Sequence, residues 1–465
     1  MKVAVFLFHR DLRLSDNTTL LKALQDGYTI LPVFIFPPEQ INPKQNDYFS
    51  SPAVQFMCES LEDLNGQLEG GLYCFKGKNV AILKKLYGEV GFEAVYSNQD
   101  YSKYAVERDT EIATWCASKK IAFVQEEDYG LLPLHEGLLS DPERPYLVLA
   151  QFYKRVLKEH PIRKVTPYTF SPSHFLRPKL KLQKFTNLSS LYQSLPDLAI
   201  HGGRTRGLLM LENIKTLSDY QEKRNYPALA KTSKASPHLK FGTVSIREMY
   251  WRVAELFGKE HGLIRELVFR DFYLKIYALK PELQRGKALH DRLDKNIPWS
   301  YDTQLFHTWS KGRTGYPLVD AGMEELNQTG HQHNRIRMLC GSVLTKYFLI
   351  DWRWGLKYYY THLVDADIFS NTAGWGFVSS TGPDGVPYFR APFNPFIQSE
   401  KFDKEALYIK KWLPQLKDLP PKDIHKWYDP AIRSKYPTLD YPAPVIDHKE
   451  ASARAMRVFK EAYMS

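Results

Sequence analysis

Cysteine is scarce in this chain of 465 residues: it has only Cys58, Cys74, Cys116 and Cys340, with no CxxC pair and no Cys/His spacing. That excludes a disulfide framework and a zinc site, and it fits a reducing compartment. Long apolar runs are missing as well, since none approaches the ~20 residues that a membrane helix requires. The opening Met1–Phe8 is too short for the hydrophobic part of a signal peptide and leads straight into His9-Arg10-Asp11. The expectation is a protein that is neither secreted nor membrane-spanning, located in the cytoplasm, or in the nucleus of a eukaryote. No GxGxxG follows the first strand candidate, so a dinucleotide fingerprint is absent. No Ser/His/Asp or Cys/His arrangement sits on an elbow motif, and His331 and His333 have no carboxylate at metal-ligand spacing. Hydrolysis and metal catalysis are therefore unsupported.

What is present is a globular composition, 43% hydrophobic and 25% charged, with no low-complexity tract. The length is enough for two or three domains. Charge is unevenly placed: the first 130 residues carry 13 basic and 18 acidic side chains, and the remainder 50 and 34. An acidic front is joined to a basic back, which suits a polyanionic partner for the second part or an ordinary solvated surface. Aromatic residues reach 14%, including nine Trp and 29 Tyr.

The first 130 residues alternate strand and helix patterns. β-rich runs fall at Val3–Phe8, Thr29–Phe36, Leu72–Phe75, Ala94–Tyr96 and Ile121–Val124, and helical patterns lie between them. Such alternation predicts an α/β, doubly wound parallel sheet of Rossmann-like kind over 1–130. From 131 to 200 the chain is rich in Pro, Ser and Leu with weak periodicity, and reads as an inter-domain connector. From 201 to 465 helical patterns dominate, including Ser245–Leu256, Gly262–Lys280, Pro317–Leu326, Gln332–Asp351 and Gly355–Val364. They predict a large all-α domain.

Three clusters could carry chemistry. Lys231-Thr232-Ser233-Lys234-Ala235-Ser236-Pro237 offers hydroxyls and backbone N–H groups suited to a phosphate, or is a capping loop. Asn334 and Arg337 are three apart and share a helix face. Asp365-Ala366-Asp367, followed by Asn371 and Trp375, could pair with an Arg and hydrogen-bond a polar ring edge, or simply cap a helix. Trp299, Trp352 and Trp375, on separate segments, read as core.

Together these pieces resemble the photolyase/cryptochrome flavoproteins, in particular cyclobutane pyrimidine dimer photolyases of the class I type. The carriers are Phe8-His9-Arg10-Asp11-Leu12-Arg13-Leu14-Ser15-Asp16-Asn17, Thr232-Ser233-Lys234-Ala235-Ser236-Pro237-His238-Leu239 and Gly312-Arg313-Thr314-Gly315-Tyr316-Pro317-Leu318-Val319-Asp320. Further carriers are His333-Asn334-Arg335-Ile336-Arg337-Met338, Ile350-Asp351-Trp352-Arg353, Asn371-Thr372-Ala373-Gly374-Trp375 and Pro387-Tyr388-Phe389-Arg390 leading to Phe393-Asn394-Pro395. The resemblance implies FAD, active in its reduced anionic form, in the helical domain. It would be held by Tyr220, Thr232, Ser233, Lys234, Ala235, Ser236, Arg337, Asp365, Ala366, Asp367 and Asn371. It also implies a lyase that splits pyrimidine dimers in UV-damaged DNA by light-driven electron transfer, with the dimer flipped from the duplex. Glu266 would hydrogen-bond the dimer's bases, and Asn334 and Met338 would line the same pocket. The remaining DNA contacts would come from Arg224, Phe269, Arg270, His331, Arg335, Arg390, Gln398 and Lys401. Trp375, Trp352 and Trp299 stand, from flavin to surface, where the family has its electron relay. No membrane partner is expected, and the chain is expected to be a monomer.

The chain departs from the pattern at three ring positions. Phe269 and Phe377 stand where many dimer-repairing members carry Trp, and His331 where another Trp is common, which weakens pyrimidine stacking by ~1 kcal/mol per Phe. Tyr104 and Ala105 replace the Asn-Glu pair of folate-binding members. The resemblance therefore points to a deazaflavin or a flavin as antenna rather than folate, or to none. The alternatives are a cryptochrome that signals without repair, and a photolyase directed at (6-4) photoproducts or single-stranded DNA. The short end after Pro442-Ala443-Pro444 and the polar set Glu266, Asn334 and Met338 favour repair of cyclobutane dimers.

Overall fold

A computed structural model describes residues 2–140, 143–384 and 392–465. The chain divides into two compact units, one of residues 1–194, 200–218 and 233–281, the other of 195–199, 219–232 and 282–465. This is a different cut from the expected segments 1–130, 131–200 and 201–465, which mark changes in composition.

The first unit is built on five parallel strands in the order β3-β2-β1-β4-β5. They are β1 (Val3–Leu7), β2 (Thr29–Phe36), β3 (Tyr73–Lys76), β4 (Ala94–Asn98) and β5 (Ala122–Glu126). The central strands are continuous apolar runs because both faces are covered, as a parallel sheet requires. Val5, Leu7, Leu31, Val33, Ile35, Tyr73, Phe75 and Val95 share one buried cluster, while the alternating Ala4, Phe6, Ile30 and Phe34 are buried on the other face. The helices between are α1 (Thr18–Gln25), α2 (Ser51–Gln67), α3 (Asn79–Val90) and α4 (Lys103–Ser118). Asn17, Ser50 and Ser102 cap α1, α2 and α4 with their side chains. The strand order reverses between β1 and β4, where a doubly wound sheet opens a crevice at its carboxyl edge.

The expected connector holds a helix that its surroundings masked, α5 (Leu149–Glu159), with Leu149, Phe152 and Val156 buried. Beyond it the chain lies along the sheet: Leu176 N donates to Ile30 O at 2.7 Å and Phe185 N to Cys74 O at 2.7 Å. Leu180 and Leu182 pack on the sheet's core. The unit is completed by α6 (Arg204–Asn213), α7 (Ile246–Phe257), begun by a Ser245/Glu248 capping box, and α8 (Gly262–Leu279), which ends before Pro281.

The motif after β1 closes this unit through a buried ionic net. Asp128 Oδ2 accepts from Arg13 at 2.6 Å and Asp128 Oδ1 from Arg247 at 2.7 Å. Asp16 Oδ2 accepts from Arg247 Nε at 2.8 Å and from Ser245 Oγ at 2.6 Å. Burial would raise the Asp128 carboxyl, but Arg13 and Arg247 overcome it and hold the carboxyl well below its usual range.

The second unit is helical. The elements used below are α9 (Asp291–Asn296), α10 (Thr303–Ser310), α11 (Pro317–Thr329), α12 (Asn334–Ser342), α13 (Trp352–His362), α14 (Ile368–Ser379), α15 (Pro395–Phe402) and α16 (His448–Met464). Its core gathers Trp309, Tyr316, Tyr347, Trp352, Tyr359 and Trp375. The single helix expected over 332–351 is broken: α12 passes into a π-helical turn, Val343–Tyr347, where Phe348 N bonds Val343 O at 3.0 Å. Leu349 then adopts a positive φ of 55°, which no continuing helix accommodates. Among the described residues no helix is long and apolar enough to cross a membrane.

Candidate functional site

In the second unit, His333 caps α12, its Nδ1 accepting from Arg335 N at 3.1 Å. This start orients Arg337 toward Asp365, whose two oxygens lie 3.1 and 3.0 Å from Arg337 Nη2. Arg337 Nε is also fixed on Gln332 O at 2.8 Å. Asp365 is 4% exposed at its side chain and Arg337 26%, so the guanidinium is anchored yet still presents an edge. Asp367 caps α14, accepting from Phe369 N at 3.1 Å and Ser370 N at 3.0 Å. One of the two expected carboxylates is thus an ion-pair partner and the other a helix cap. Asn371 Nδ2 donates to Leu356 O at 3.2 Å, which leaves its carbonyl oxygen as the end that can meet a donor.

Trp375 lies one turn further along α14, 3% exposed. A Cβ at Gly355 would stand 2.1 Å from Trp375 Cη2, so the indole rests on bare backbone of α13. Trp352 is three residues earlier on the same helix. Its Nε1 donates to Asp294 Oδ1 at 3.0 Å, and Trp299 Nε1 reaches the same oxygen at 3.1 Å. Trp299 is half-buried, its ring edge-on to Phe459 at 6.1 Å. Trp352 and Trp375 are therefore core residues of this unit, and Trp299 packs against that core.

Asn334 is exposed, and its Nδ2 lies 3.8 Å from Met338 Sδ one turn on, so these two share a face of α12. Arg335 beside them bonds Asn225 Oδ1 at 2.6 Å and stacks on Phe402, 4.5 Å from the ring centroid. Lys401 lies 5.3 Å over the same ring, and Arg224 5.1 Å over Tyr220, which is itself buried. Burial and the nearby Arg224 both lower the Arg335 guanidinium. Arg224, Arg335 and Lys401 thus form one cationic group, with Gln398 half-buried on the same α15 as Lys401. Arg390 lies outside the described residues. His331 is paired with Glu325 at 3.5 Å, and Tyr408 donates to Glu325 at 2.6 Å. Burial would raise Glu325, but His331 and Tyr408 more than offset it and hold it low. Burial pushes the His333 imidazole down to about 4.

In the first unit, Glu266 and Phe269 are half-buried on α8, Phe269 lying 4.6 Å from Tyr273. Arg270, one of the expected DNA contacts, has its guanidinium held within this unit. It stacks 3.9 Å over Tyr129, donates to Tyr129 O at 2.9 Å, and also bonds Leu239 O. In the loop 231–237, Ser233 Oγ accepts from Ala235 N at 3.4 Å and Lys234 has a φ of 54°. Thr232 and Ser233 are half-buried, Ala235 is buried, and Lys234 and Ser236 are exposed.

Tyr104, which replaces a member of the folate pair, belongs to a second polar cluster in the first unit. His9 Nε2 at the end of β1, with Tyr104 Oη and Arg108 Nη2 on α4, is buried with no hydrogen-bond partner. Burial and the neighbouring Arg108 push His9 well down. The strand order could have suggested this place, since it borders the crevice between β1 and β4. Among the described residues no group of three or more His, Cys, Asp or Glu could hold a metal ion.

Comparison with known proteins agrees with this layout. Residues 4–172 match the family model described as DNA photolyase, and residues 263–461 the one described as FAD binding domain of DNA photolyase. The chain is 33% identical to a deoxyribodipyrimidine photo-lyase of Alkalihalophilus pseudofirmus, over 97% of each chain. It resembles the crystal structure of a bacterial class III photolyase from Agrobacterium tumefaciens, with a TM-score of 0.88 at 29% identity and 100% and 98% coverage. It also resembles an archaeal photolyase from Sulfolobus tokodaii crystallised with two FAD molecules, with a TM-score of 0.83 at 34% identity and 98% and 99% coverage. A Synechocystis cryptochrome aligns with a TM-score of 0.85 at 26% identity and 98% and 99% coverage. With full-length identity above 30% to named photo-lyases, this chain belongs to the photolyase/cryptochrome family.

Proposed function

We propose that this protein uses blue light to split cyclobutane pyrimidine dimers in DNA. The observation that carries the reading is the cationic group Arg224, Arg335 and Lys401 beside the exposed Asn334–Met338 face. A group of cations suits phosphates, and a carboxamide next to a thioether suits a flipped base with a polar edge and an apolar face. In this reading 1–130 serve light harvesting and 201–465 bind flavin and DNA.

The donor set fits FAD. Arg337, anchored by Asp365 yet a quarter exposed, can address the polar edge of a flavin ring, and Asn371 can offer its carbonyl oxygen to a ring N–H. Tyr220 and the hydroxyl-bearing loop Thr232–Ser236 are suited to a diphosphate. Bound in reduced form, the flavin supplies a light-excited electron donor. The chain's own work is to hold the dimer in place and keep water out, which needs no general acid or base. In the second unit Asn334 hydrogen-bonds the bases and Phe377 gives them an apolar face; in the first, Glu266 and Phe269 of α8 keep the base-binding role that the resemblance implies, and Arg270 that of a DNA contact. Trp299, Trp352 and Trp375 conduct electrons between solvent and the flavin pocket.

Illuminating the reduced protein with dimer-containing DNA is expected to remove dimers that persist in the dark. Glu266→Ala is expected to lower the yield while leaving FAD bound. No light-dependent loss in duplex or single strands would leave the cryptochrome reading. Loss of (6-4) photoproducts alone would assign the His331–Glu325 pair to that lesion instead.

A second chromophore is proposed beside His9, Tyr104 and Arg108, where His9 Nε2, Tyr104 Oη and Arg108 Nη2 are buried and Arg108 is held through its Nε on Asp109 at 2.7 Å. Their aromatic and cationic character suits a flavin or deazaflavin rather than folate. Chromatography of pigment released from the purified protein tests this, with FAD as the sole pigment counting against it.

A further inference from the structure

Asp294, 6% exposed near the end of α9, serves two tryptophans at once. Its Oδ1 accepts from Trp352 Nε1 at 3.0 Å and Trp299 Nε1 at 3.1 Å, and its backbone oxygen also lies 3.1 Å from Trp299 Nε1. Oδ2 is taken by Arg353 Nη2 at 2.5 Å. Arg353 is itself fixed by Gly286 O at 2.7 Å and Asp351 Oδ1 at 3.0 Å, and its guanidinium carbon sits 4.7 Å from the Trp352 ring centroid. One carboxylate therefore touches both indoles, while one cation covers only the inner of the two.

These placements act oppositely on an indole that has lost an electron. Such a ring is positively charged and its N–H is a much stronger donor, so a buried carboxylate on that N–H favours the oxidised form. A guanidinium over the ring face is attracted to the neutral ring's electron-rich surface and favours the unoxidised form. Trp352 feels both groups, whereas among the described residues no cation stacks on Trp299, which keeps the carboxylate and is half-buried.

We propose that Asp294 and Arg353 are positioning residues that give the tryptophan series its direction, drawing the electron deficit from Trp375 to Trp352 and settling it on Trp299. The proposal rests on the reading of these tryptophans as an electron relay. Trp375 gives one electron to the light-excited oxidised flavin, Trp352 refills Trp375, and Trp299 refills Trp352. Trp299 is left one electron short with its N–H proton still hydrogen-bonded to Asp294, and a thiol in solution returns the electron as it loses its own proton. No covalent bond within the protein forms or breaks.

Two measurements on the flavin-loaded protein test it. Nitrogen-15 spectra of the indole groups in the dark read the shared hydrogen bond, and Asp294→Ala is expected to shift the N–H signals of both Trp299 and Trp352. Flash absorbance of the tryptophan radical cation reads the electron deficit. Asp294→Asn, which keeps an acceptor but loses the charge, is expected to lower the long-lived cation yield about tenfold, and Asp294→Glu to restore most of it. Arg353→Gln is expected to slow re-reduction of the cation by added dithiothreitol. A wild-type yield in Asp294→Asn, a loss that Asp294→Glu does not rescue, or unchanged re-reduction in Arg353→Gln overturns the proposal. Trp375→Phe separates the two readings: if it abolishes the cation while Asp294→Asn does not, only the role of Asp294 fails, and if the cation persists in Trp375→Phe, the relay itself fails.

Discussion

At the scale of single residues, Gly355 shows how tightly the surroundings of Trp375 are specified. A methyl group there would fall 2.1 Å from Trp375 Cη2 and 2.7 Å from Leu344 Cδ2, with the indole held from behind by Tyr359 at 5.0 Å and Trp309 at 6.2 Å. Gly355→Ala is expected to cost about 1–3 kcal/mol in a urea titration, as overpacking does. It should also change the photoreduction rate, because the displaced ring is Trp375; an unchanged midpoint would show that the ring has room to yield. Part of this residue-level picture could be read in the sequence. Arg337 and Asp365 are complementary charges, and the structure pairs them. Either carboxylate of that motif could have capped a helix, and it is Asp367 that does so. Asp294 left no trace in the sequence, because its significance comes from two indoles 5 and 58 residues away. Glu325, which pairs with His331 and accepts from Tyr408 83 residues along the chain, was hidden for the same reason.

At the scale of elements, the parallel strands were legible because burial on both faces writes itself as unbroken apolar runs such as Val3–Leu7 and Thr29–Phe36. Helix α5 was not, although Leu149, Phe152 and Val156 keep a helical spacing, because the Pro- and Ser-rich composition around it outweighed an eleven-residue pattern. Phe152 is 1% exposed and its ring lies 5.7 Å from Phe272 of α8. Phe152→Ala is therefore expected to lower stability by about 3–5 kcal/mol. A loss below about 1 kcal/mol would mean that α5 is a loosely attached strap. The break in the expected helix 332–351 was illegible because a π turn keeps the apolar spacing of a helix while shifting its register.

At the scale of the whole molecule, two expectations concern solvent. Binding to undamaged duplex DNA should weaken steeply with salt, and neutralising Arg224, Arg335 and Lys401 one at a time should each reduce the slope of log K against log salt by about 0.9. An unchanged slope would remove that residue from the phosphate contacts. The second expectation concerns acid. Burial lifts Asp11 and Asp320 to about 6 in the folded protein, above their unfolded values, so each destabilises the fold at neutral pH and the cost lifts as pH falls through 6 toward 4. Burial pushes His238 and His333 down to about 4, below their unfolded values, so stability from these two is present above about 6.5 and is lost as pH falls toward 4. The two pairs oppose each other over the same window. Urea midpoints should vary little between pH 6.5 and 4, and Asp320→Asn should unmask a fall. Below about 4 the wild type should also lose stability steeply, because Asp128 is held low by its two arginines and its contribution disappears as it protonates. A flat profile below pH 4 would count against the buried net around Asp128.

The π-helical turn at Val343–Tyr347 is a place where the chain holds slack. One residue more per turn is accommodated there, with Thr345 Oγ1 bonded to Gly341 O at 2.8 Å and Lys346 Nζ to Ser380 Oγ at 2.7 Å. Removing a single codon there would let the turn relax to an ordinary helix with the register on either side kept, whereas the same deletion inside α12 or α13 would rotate the residues after it by about 100°. A gene for this protein should therefore tolerate the loss of one residue in that turn better than the loss of one from either helix.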